Sequence, residues 1–372
     1  MIYFDNAATS FPKPACVLKT VNKCIKSYCG NSGRSSHRLA LKSAEEIYLA
    51  REEIASLLGG VDPENIVFTY NATYALNIAI KTLTKEFCHV ITSDFEHNSV
   101  ARPLESLKAT KGIEVSSFTS DNDISREIKE KIKKNTDVIV STVASNVTGE
   151  SLPLNALSSV ARDNKLSLII DASQALGHSE INLLKTPCDA LCAPGHKALF
   201  GIQGCGFVYF KNKERRDSFI EGGNGVDSIN PYMPLLLPEG YEAGTLSTPA
   251  IVSLRSGIRC VKAIGIDKIG KRLSYLTDYT KELLSEMKNL KVYKSENGIV
   301  SFNVGDYPSS YIASKLDKRG ICTRPGLHCS PAAHKRLGTL GQGTVRLSYS
   351  WFNTEREIKT FAHALGNIIK EL

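Results

Sequence analysis

The stretch "CAPGHKALFGIQGCG", residues 192–206, places one lysine, Lys197, after a short apolar run and before three glycines. A buried ammonium group is costly unless it is paired or neutralised, so a lysine between a strand and tight turns favours a chemical role over a packing role. The alternative, from these residues alone, is a solvated loop lysine. The residues on either side of this stretch must decide between the two.

Short apolar runs alternate with longer amphipathic stretches between about residues 65 and 210. The runs are "NIVFT", "HVITS", "DVIVSTV", "LSLIID", "DALCA" and "GFVYF". This alternation predicts an α/β fold with a mostly parallel central sheet and helices on both faces. Apolar residues at helical spacing predict one long helix from Ser35 to Leu58, before the first of these strands.

The pattern changes after "EAGTLSTPA". Helical stretches from Ile251 to Met287, the runs "GIVSFNV" and "TVRLSYS", a helix in "PSSYIASKLDKRG" and a final helix predict a smaller α+β unit. Thr354 and Glu357 have the spacing of a capping box for the final helix. We therefore expect a large domain over residues 15–250 and a small domain made of residues 1–14 and 251–372.

Composition excludes several classes of protein. The chain has 372 residues, and its net charge of +8 is spread along helices that also carry acids, as in "KSAEEIYLAREE", so we expect no nucleic-acid partner. No apolar run approaches the roughly 20 residues of a membrane span. Ten cysteines without a CxxC pair fit reduced thiols, and the N-terminus lacks a signal-peptide pattern. We expect a cytoplasmic protein.

Residues suited to ligand binding follow the predicted strands. Ala72 and Thr73 follow "NIVFT", His97 follows "HVITS", Asn146 follows "DVIVSTV", and Asp171 and Gln174 follow "LSLIID". Ligands of open α/β sheets bind beyond the carboxyl ends of the strands, which favours a shared site. Each residue taken alone has a structural alternative: a helix N-cap at Ala72, Thr73 or Asp171, or a structural histidine at His97.

Asp171 and Lys197 end neighbouring predicted strands. This pair is what pyridoxal 5'-phosphate (PLP) requires: a lysine for the Schiff base and a carboxylate that keeps the pyridine nitrogen protonated. The sequence therefore predicts a PLP site, and it favours the chemical role for Lys197.

The motifs around this pair resemble one family. They are "YFDNAAT", "GNSGRSSHRLALKSAEEIYLAR", "EHNSVARPL", "SNVTGE", "DASQALGH", "GHK", "EAGT", "RPGLHCSP" and "TVRLSYSWFN". In this order they resemble the class V PLP enzymes, which have the aspartate aminotransferase-like fold (fold type I), and within them the cysteine desulfurase and selenocysteine lyase group. The resemblance covers nearly the whole chain.

The resemblance implies a role for each motif residue. At the cofactor ring, Lys197 would carry the cofactor, Asp171 would pair with the ring nitrogen, Gln174 would bond the phenolic oxygen, and His97 would stack on the ring. The phosphate would be held by Ala72, Thr73 and His196, and by Thr245 from a second subunit. Arg346 would bind the substrate carboxylate, and Asn146 would hydrogen-bond cofactor or substrate. The role of Thr245 implies a homodimer with composite active sites. The alternative for Arg346 is a surface arginine on a strand.

The sequence departs from the family at the phosphate end. Many relatives have a serine three residues before the lysine that donates to the phosphate, and here Pro194 stands there. Proline has no donor. We expect the phosphate to depend more on Thr73, His196 and backbone groups.

Cys329 in "RPGLHCSP" decides the reaction that the resemblance implies. Thiolate is the reactive form of cysteine, and the charge of Arg324 and of a protonated His328 would favour it. Related desulfurases read "RxGHHC", so Leu327 replaces the first histidine. Cys329 would take sulfur from L-cysteine as a persulfide, leave L-alanine, and pass the sulfur to an acceptor protein or thiol. With L-selenocysteine, selenium would leave without this attack.

Other readings of the sequence stay open. His328, Cys329 and His334, with Cys322, suggest a zinc-binding protein. A cysteine hydrolase could use Cys329 with a distant histidine, although it leaves Asp171 and Lys197 unexplained. A class V aminotransferase, epimerase or kynureninase-like lyase keeps fold and cofactor but does not need the thiol.

Overall fold

The computed structural model describes residues 1–33, 35–119, 123–213 and 219–372. The strands in these ranges are β1 (Ile2–Tyr3), β2 (Ile66–Thr69), β3 (His89–Ser93), β4 (Glu114–Phe118), β5 (Thr136–Thr142), β6 (Ser167–Asp171), β7 (Ala190–Pro194), β8 (Gly206–Phe210), β9 (Leu290–Val292), β10 (Ile299–Val304), β11 (Ile321–Cys322), β12 (Arg324–Gly326) and β13 (Thr344–Ser348).

The α-helices in the same ranges are α1 (Ala15–Ser27), α2 (Arg38–Leu57), α3 (Ala72–Leu83), α4 (Asn98–Lys111), α5 (Ile124–Lys131), α6 (Leu154–Asp163), α7 (Thr248–Ile264), α8 (Ile266–Ser285), α9 (Ser309–Asp317), α10 (Pro331–Leu337) and α11 (Glu355–Lys370). A 3-10 turn covers Pro63–Asn65. None of the helices in the described part of the chain is both long enough and apolar enough to cross a membrane.

A seven-stranded sheet forms the larger part of the molecule. Its strand order is β2-β8-β7-β6-β5-β3-β4. β8 is antiparallel to both of its neighbours, and the other pairs are parallel. Strands β3, β7 and β8 are buried throughout, which explains the uninterrupted apolar sequences of β7 and β8. The predicted α/β fold with a mostly parallel sheet is confirmed.

Two local predictions differ from the structure. The predicted strands omit β4, an edge strand in which Glu114 and Ser117 are exposed, because a half-solvated strand lacks the apolar run of its neighbours. Helix α2 begins at Arg38 rather than Ser35, because His37 is its N-cap: the His37 Nδ1 accepts a hydrogen bond from the Ala40 N–H over 3.2 Å.

A smaller sheet lies C-terminal in sequence. Its order is β12-β13-β10-β9, with antiparallel pairs, while β1 pairs in parallel with β11. The capping box of the final helix is confirmed, since the Thr354 hydroxyl accepts from the Glu357 N–H and the Glu357 carboxylate accepts from the Thr354 N–H. The exact domain limits stay a prediction, since α7 gives Leu254 to one apolar core and Val261 to the other.

Helix α7 also supports the turn that carries Lys197. A Cβ added at Gly257 would overlap the carbonyl oxygen of Leu199, so the helix packs directly on the backbone just after the lysine. Within the turn, the Gly201 N–H donates to the Gly195 carbonyl over 2.8 Å. The glycines therefore let this turn lie between the sheet and α7.

We predict that Gly257→Ala lowers the free energy of unfolding by about 1–3 kcal/mol, because the added methyl must displace either Leu199 or the helix. Gly366→Ala is the matched control: it is also a helical glycine, but nothing lies within 4 Å of its added Cβ. Removing a helix-interior glycine there should stabilise the protein by up to about 1 kcal/mol. Urea unfolding followed by circular dichroism measures both, and equal stabilities would contradict the packing argument.

Candidate active site

A cavity of about 180 Å³ lies at the carboxyl ends of β5, β6 and β7. Its walls include nine residues that the sequence singles out: Ala72, Thr73, His97, Asn146, Asp171, Gln174, His196, Lys197 and Arg346. They come from elements spread over most of the chain. The structure therefore brings together nearly the whole predicted site.

Asp171 and Lys197 lie in this cavity from adjacent strands. Asp171 ends β6, pairs with Cys192 of β7 and is 3% exposed, and its Oδ1 accepts a hydrogen bond from the Ser173 N–H over 2.9 Å. Burial, together with the nearby Arg346 and Arg324, lowers the pKa of Lys197 to about 8, although the Asp171 carboxylate acts in the opposite direction. The alternative of a solvated loop lysine is therefore wrong.

His97 lies beside this pair as a neutral ring. It is the N-cap of α4, where its Nδ1 accepts a hydrogen bond from the Ser99 N–H over 3.0 Å. His97 is therefore a structural histidine and also lines the cavity. Burial, with the charge of Lys197, lowers the pKa of His97 to about 4. Because Nδ1 is an acceptor, the ring proton is on Nε2 at neutral pH.

The start of α3 forms one end of the cavity. Asn71 is the N-cap, with its side chain accepting from the Tyr74 N–H, so Ala72 and Thr73 are the first helical residues. A Cβ at Gly206 would lie 2.7 Å from the Asn71 carbonyl carbon, which lets β8 approach this helix start. The Thr73 Oγ1 is 2.8 Å from the Ser99 Oγ.

His196 lies at the same end. Its backbone carbonyl accepts hydrogen bonds from the Ser10 N–H and from the Lys13 Nζ. Its side-chain Nδ1 is buried and has no hydrogen-bond partner among the described residues. Burial lowers the pKa of His196 to about 4, so its ring is neutral. In the tautomer that carries the ring proton on Nδ1, this unpartnered nitrogen is a donor suited to an anionic ligand.

Arg346 comes from the smaller sheet and is 1% exposed, so the alternative of a surface arginine is wrong. Its Nη2 donates to Asp5 Oδ1 over 2.9 Å and its Nη1 donates to the Asn146 carbonyl over 2.8 Å. The buried Nε has no partner in the described part of the chain. Burial lowers the pKa of Arg346 to about 10, which leaves it charged at neutral pH.

The loop that carries Cys329 is fixed from the larger sheet. The Asn146 Nδ2 donates to the His328 carbonyl over 2.7 Å, and the Ser330 hydroxyl donates to Asn146 Oδ1 over 2.6 Å. Cys329 is half-buried, and its Sγ is 3.8 Å from the Arg324 Nη2. Both Arg324 and His328 line the cavity, so the thiol belongs to a segment that borders it.

The expectation that His328 carries charge beside Cys329 is wrong. Burial lowers the pKa of His328 well below its ordinary value, so the positive charge near the thiol comes from arginines: Arg324, which contacts Sγ, and Arg346, which interacts electrostatically with Cys329. The His328 Nε2 donates to the Arg324 carbonyl, and its Nδ1 accepts from His334 over 3.1 Å. The His334 Nδ1 in turn contacts the Thr339 hydroxyl.

These contacts also count against a zinc centre. Both nitrogens of His328 and of His334 have hydrogen-bond partners within the fold. Within residues 1–33, 35–119, 123–213 and 219–372, no group of three or more His, Cys, Asp or Glu side chains could hold a metal ion.

Thr245 is a predicted phosphate-binding residue that does not line the cavity of Asp171 and Lys197. It lines a different cavity with residues of α2, and its Oγ1 accepts from the Asn31 Nδ2 over 3.4 Å. Its segment is fixed by a buried ion pair in which the Glu242 carboxylate contacts the Arg51 Nη2 over 2.6 Å. Within one chain, Thr245 is therefore not part of the cavity that contains Asp171 and Lys197.

Sequence reasoning missed two residues of the site. Asp5, in the quoted motif "YFDNAAT", holds Arg346, and Ser99, in "EHNSVARPL", lines the cavity beside Thr73. The position of Ser99 just after His97, at a predicted helix start, was the available signal for it. Nothing in the sequence pattern pairs Asp5 with an arginine so far along the chain.

The chain belongs to the aminotransferase class-V family, whose model matches residues 2–361. The enzymes of this family depend on PLP. The predicted resemblance is confirmed.

Within this family, the chain is similar to cysteine desulfurases. The chain is 31% identical to a probable cysteine desulfurase of Pyrococcus abyssi, with 100% of this chain and 95% of the relative covered. It is 30% identical to a probable cysteine desulfurase of Methanothermobacter thermautotrophicus, with 99% and 94% covered. The apo structure of a cysteine desulfurase from Thermococcus onnurineus NA1 superposes with a TM-score of 0.93 at 30% identity, over 100% of this chain and 95% of the other.

We predict that the Lys197 amine of the cofactor-free protein becomes reactive as the pH rises through about 8, well below the ordinary lysine value of 10.5. Below that pH the amine is protonated and inert. Trace acylation with acetic anhydride across pH 6–11, read by peptide mass spectrometry, measures the midpoint.

Asp171→Asn should move this midpoint lower, because the carboxylate favours the charged amine. Lys13 is the internal control: burial also lowers its pKa to about 8, and Asp171 is not among the causes of that shift. A Lys197 midpoint near 10.5, or one that does not respond to the substitution, would contradict this electrostatic account.

Proposed function

We propose that this chain is a PLP-dependent cysteine desulfurase, which takes sulfur from L-cysteine onto Cys329 and releases L-alanine. The observation that carries the proposal is the cavity that Asp171 and Lys197 share with Arg324, the arginine that contacts the Cys329 thiol. The names of the relatives at 30–31% identity favour sulfur over selenium as the element transferred.

The residues of the cavity fit the cofactor. The buried unpartnered Nδ1 of His196 and the start of α3 at Thr73 suit a phosphate group. The buried Asp171 carboxylate suits a protonated ring nitrogen, and the neutral His97 ring suits stacking on an aromatic face. The Gln174 amide, which donates to the Ala7 carbonyl over 3.0 Å, lies where it could contact the phenolic oxygen.

When bound, the cofactor acts as an electron sink for the bonds of the substrate at Cα. Lys197 holds it and then moves the Cα proton, a task suited to an amine whose pKa is about 8. Arg346 binds the substrate carboxylate through guanidinium N–H groups that its contacts with Asp5 and the Asn146 carbonyl leave unused.

Cys329 makes the sulfur transfer. Its thiolate forms a bond with the substrate sulfur while the Cβ–S bond of the substrate breaks, and the carbon left behind takes up a proton to become alanine. The electron pair of the broken Cβ–S bond stays with the carbon. This reduction balances the oxidation of the thiol to a persulfide, and no external oxidant is needed. The Arg324 guanidinium lies 3.8 Å from Sγ and contacts the attacking sulfur. An acceptor protein or small thiol then takes the outer sulfur.

The wider setting of the enzyme forms part of the proposal. We propose a homodimer in which Thr245 of one subunit completes the phosphate site of the other, because within one chain Thr245 lines a separate cavity. All ten cysteines are free thiols, which suits the reducing cytoplasm.

We predict that Cys329→Ala lowers alanine and sulfide formation from L-cysteine at least about 100-fold, because the nucleophile for sulfur is lost. Cys322→Ala is the control: it removes a thiol of similar exposure in the neighbouring strand β11 and should leave the rate within about twofold. L-selenocysteine is assayed in parallel. Full activity of Cys329→Ala on L-cysteine would refute the persulfide step.

We predict that borohydride fixes PLP to Lys197 and to no other lysine. Lys197→Ala should bind PLP reversibly but retain none after reduction and denaturation, measured by the mass of the chain. Lys13→Ala should be labelled like the wild type, although Lys13 also has a pKa of about 8. Labelling of another lysine in the wild type would overturn the site assignment.

A further inference from the structure

Pro194 offers no hydrogen-bond donor to the part of the cavity proposed to hold the phosphate. It ends β7 and lines the cavity with Thr73 and His196, yet it has neither a hydroxyl nor a backbone N–H. The phosphate of PLP is a dianion with three oxygens that each accept hydrogen bonds. A site with one donor fewer binds it more weakly unless another group takes over.

Ser99 is placed to take over. It is the second residue of α4, is 7% exposed, and lines the same cavity as Pro194. Its Oγ is 2.8 Å from the Thr73 Oγ1, so the two hydroxyls form a pair that joins the starts of α3 and α4.

The hydrogen-bond count supports an anion at this pair. The Thr73 and Ser99 hydroxyls have two protons between them, and their mutual contact uses one. The His97 Nδ1, 2.9 Å from the Ser99 Oγ, already accepts the Ser99 N–H. At least one hydroxyl proton can therefore turn toward an acceptor in the cavity, where His196 adds its unpartnered Nδ1.

We infer that the Ser99 hydroxyl, together with Thr73, binds the phosphate of the cofactor and replaces the donor that Pro194 lacks. The inference rests on the proposed PLP dependence and goes beyond it, because it names a phosphate ligand outside the motif roles. Its rival is a purely positioning role, in which Ser99 acts only through its contact with the His97 ring.

The two roles differ in their dependence on phosphate. Apo protein is titrated with PLP and with pyridoxal, which lacks the phosphate, and the dissociation constants are read from absorbance. Ser99→Ala should weaken PLP binding by about tenfold and change pyridoxal binding by less than about twofold. Ser99→Thr keeps the hydroxyl and should bind PLP like the wild type. Ser106→Ala, an exposed serine in the same helix, is the control.

Pro194→Ser tests the replacement directly. In the Ser99→Ala background it should restore the affinity for PLP, because a hydroxyl returns to the phosphate end. Equal loss of PLP and pyridoxal binding in Ser99→Ala would assign Ser99 to the His97 ring and overturn the inference. Unchanged PLP binding in Ser99→Ala would also overturn it. If Ser99→Ala weakens only PLP binding and Pro194→Ser does not restore it, the idea that Ser99 replaces the donor missing at Pro194 is overturned.

If the wild type captured neither PLP nor pyridoxal, the proposed function itself would fail, and this result is distinct from the others. Circular dichroism of each cofactor-free variant shows that the affinities belong to folded protein.

Discussion

The structure depends on an amine and a carboxylate held together at the ends of two adjacent parallel strands. Because β6 and β7 are parallel and in register, with Asp171 opposite Cys192, both strands end at the same edge of the sheet. Lys197 reaches that edge only if the chain after β7 turns back at once. Burial opposes the charge on this lysine, and the neighbouring arginines add to that effect. Asp171 offsets part of the cost, and the result is an amine that loses its proton near neutral pH.

The N-terminal segment links this edge to the smaller sheet. β1 pairs with β11, Asp5 contacts Arg346, and the Ser10 N–H donates to the carbonyl of His196, the residue before the lysine. One short segment thus spans from Arg346 to the lysine turn. Arg346 and Lys197 repel each other in a buried site, so a segment that holds both from the backbone and through Asp5 maintains their separation.

The sequence predicts most of this arrangement because local patterns determine it. Strands β2, β3, β5, β6, β7 and β8 each contain a short apolar run, and the residues that follow β3, β5, β6 and β7 meet in one cavity because these parallel strands end at the same edge. The edge strand β4 has no such run, and it was missed. The charge state of His328 was mispredicted for a different reason. The burial of His328 and its contact with His334 depend on tertiary packing, which cannot be inferred from the neighbouring residues in the sequence.

The Cys329 loop shows how the two parts of the molecule share one function. His328 and Cys329 both have left-handed backbone conformations, with φ of 52° and 58°, and such residues cost about 1–3 kcal/mol each when they are not glycine. The hydrogen bonds that hold His328 and Cys329 come from the part of the molecule that contains the seven-stranded sheet. The Asn98 N–H donates to the Cys329 carbonyl over 2.7 Å, and the Asn146 Nδ2 donates to the His328 carbonyl.

The same two anchors also belong to the cofactor side of the cavity. Asn98 directly follows His97 and opens α4, and the Asn146 carbonyl accepts from Arg346. A displacement of the smaller sheet would therefore strain the thiol loop and the arginine together. The position of the thiol is thus set by the residues that surround the cofactor cavity, which explains how a loop from one unit can act on a substrate bound at the edge of the other.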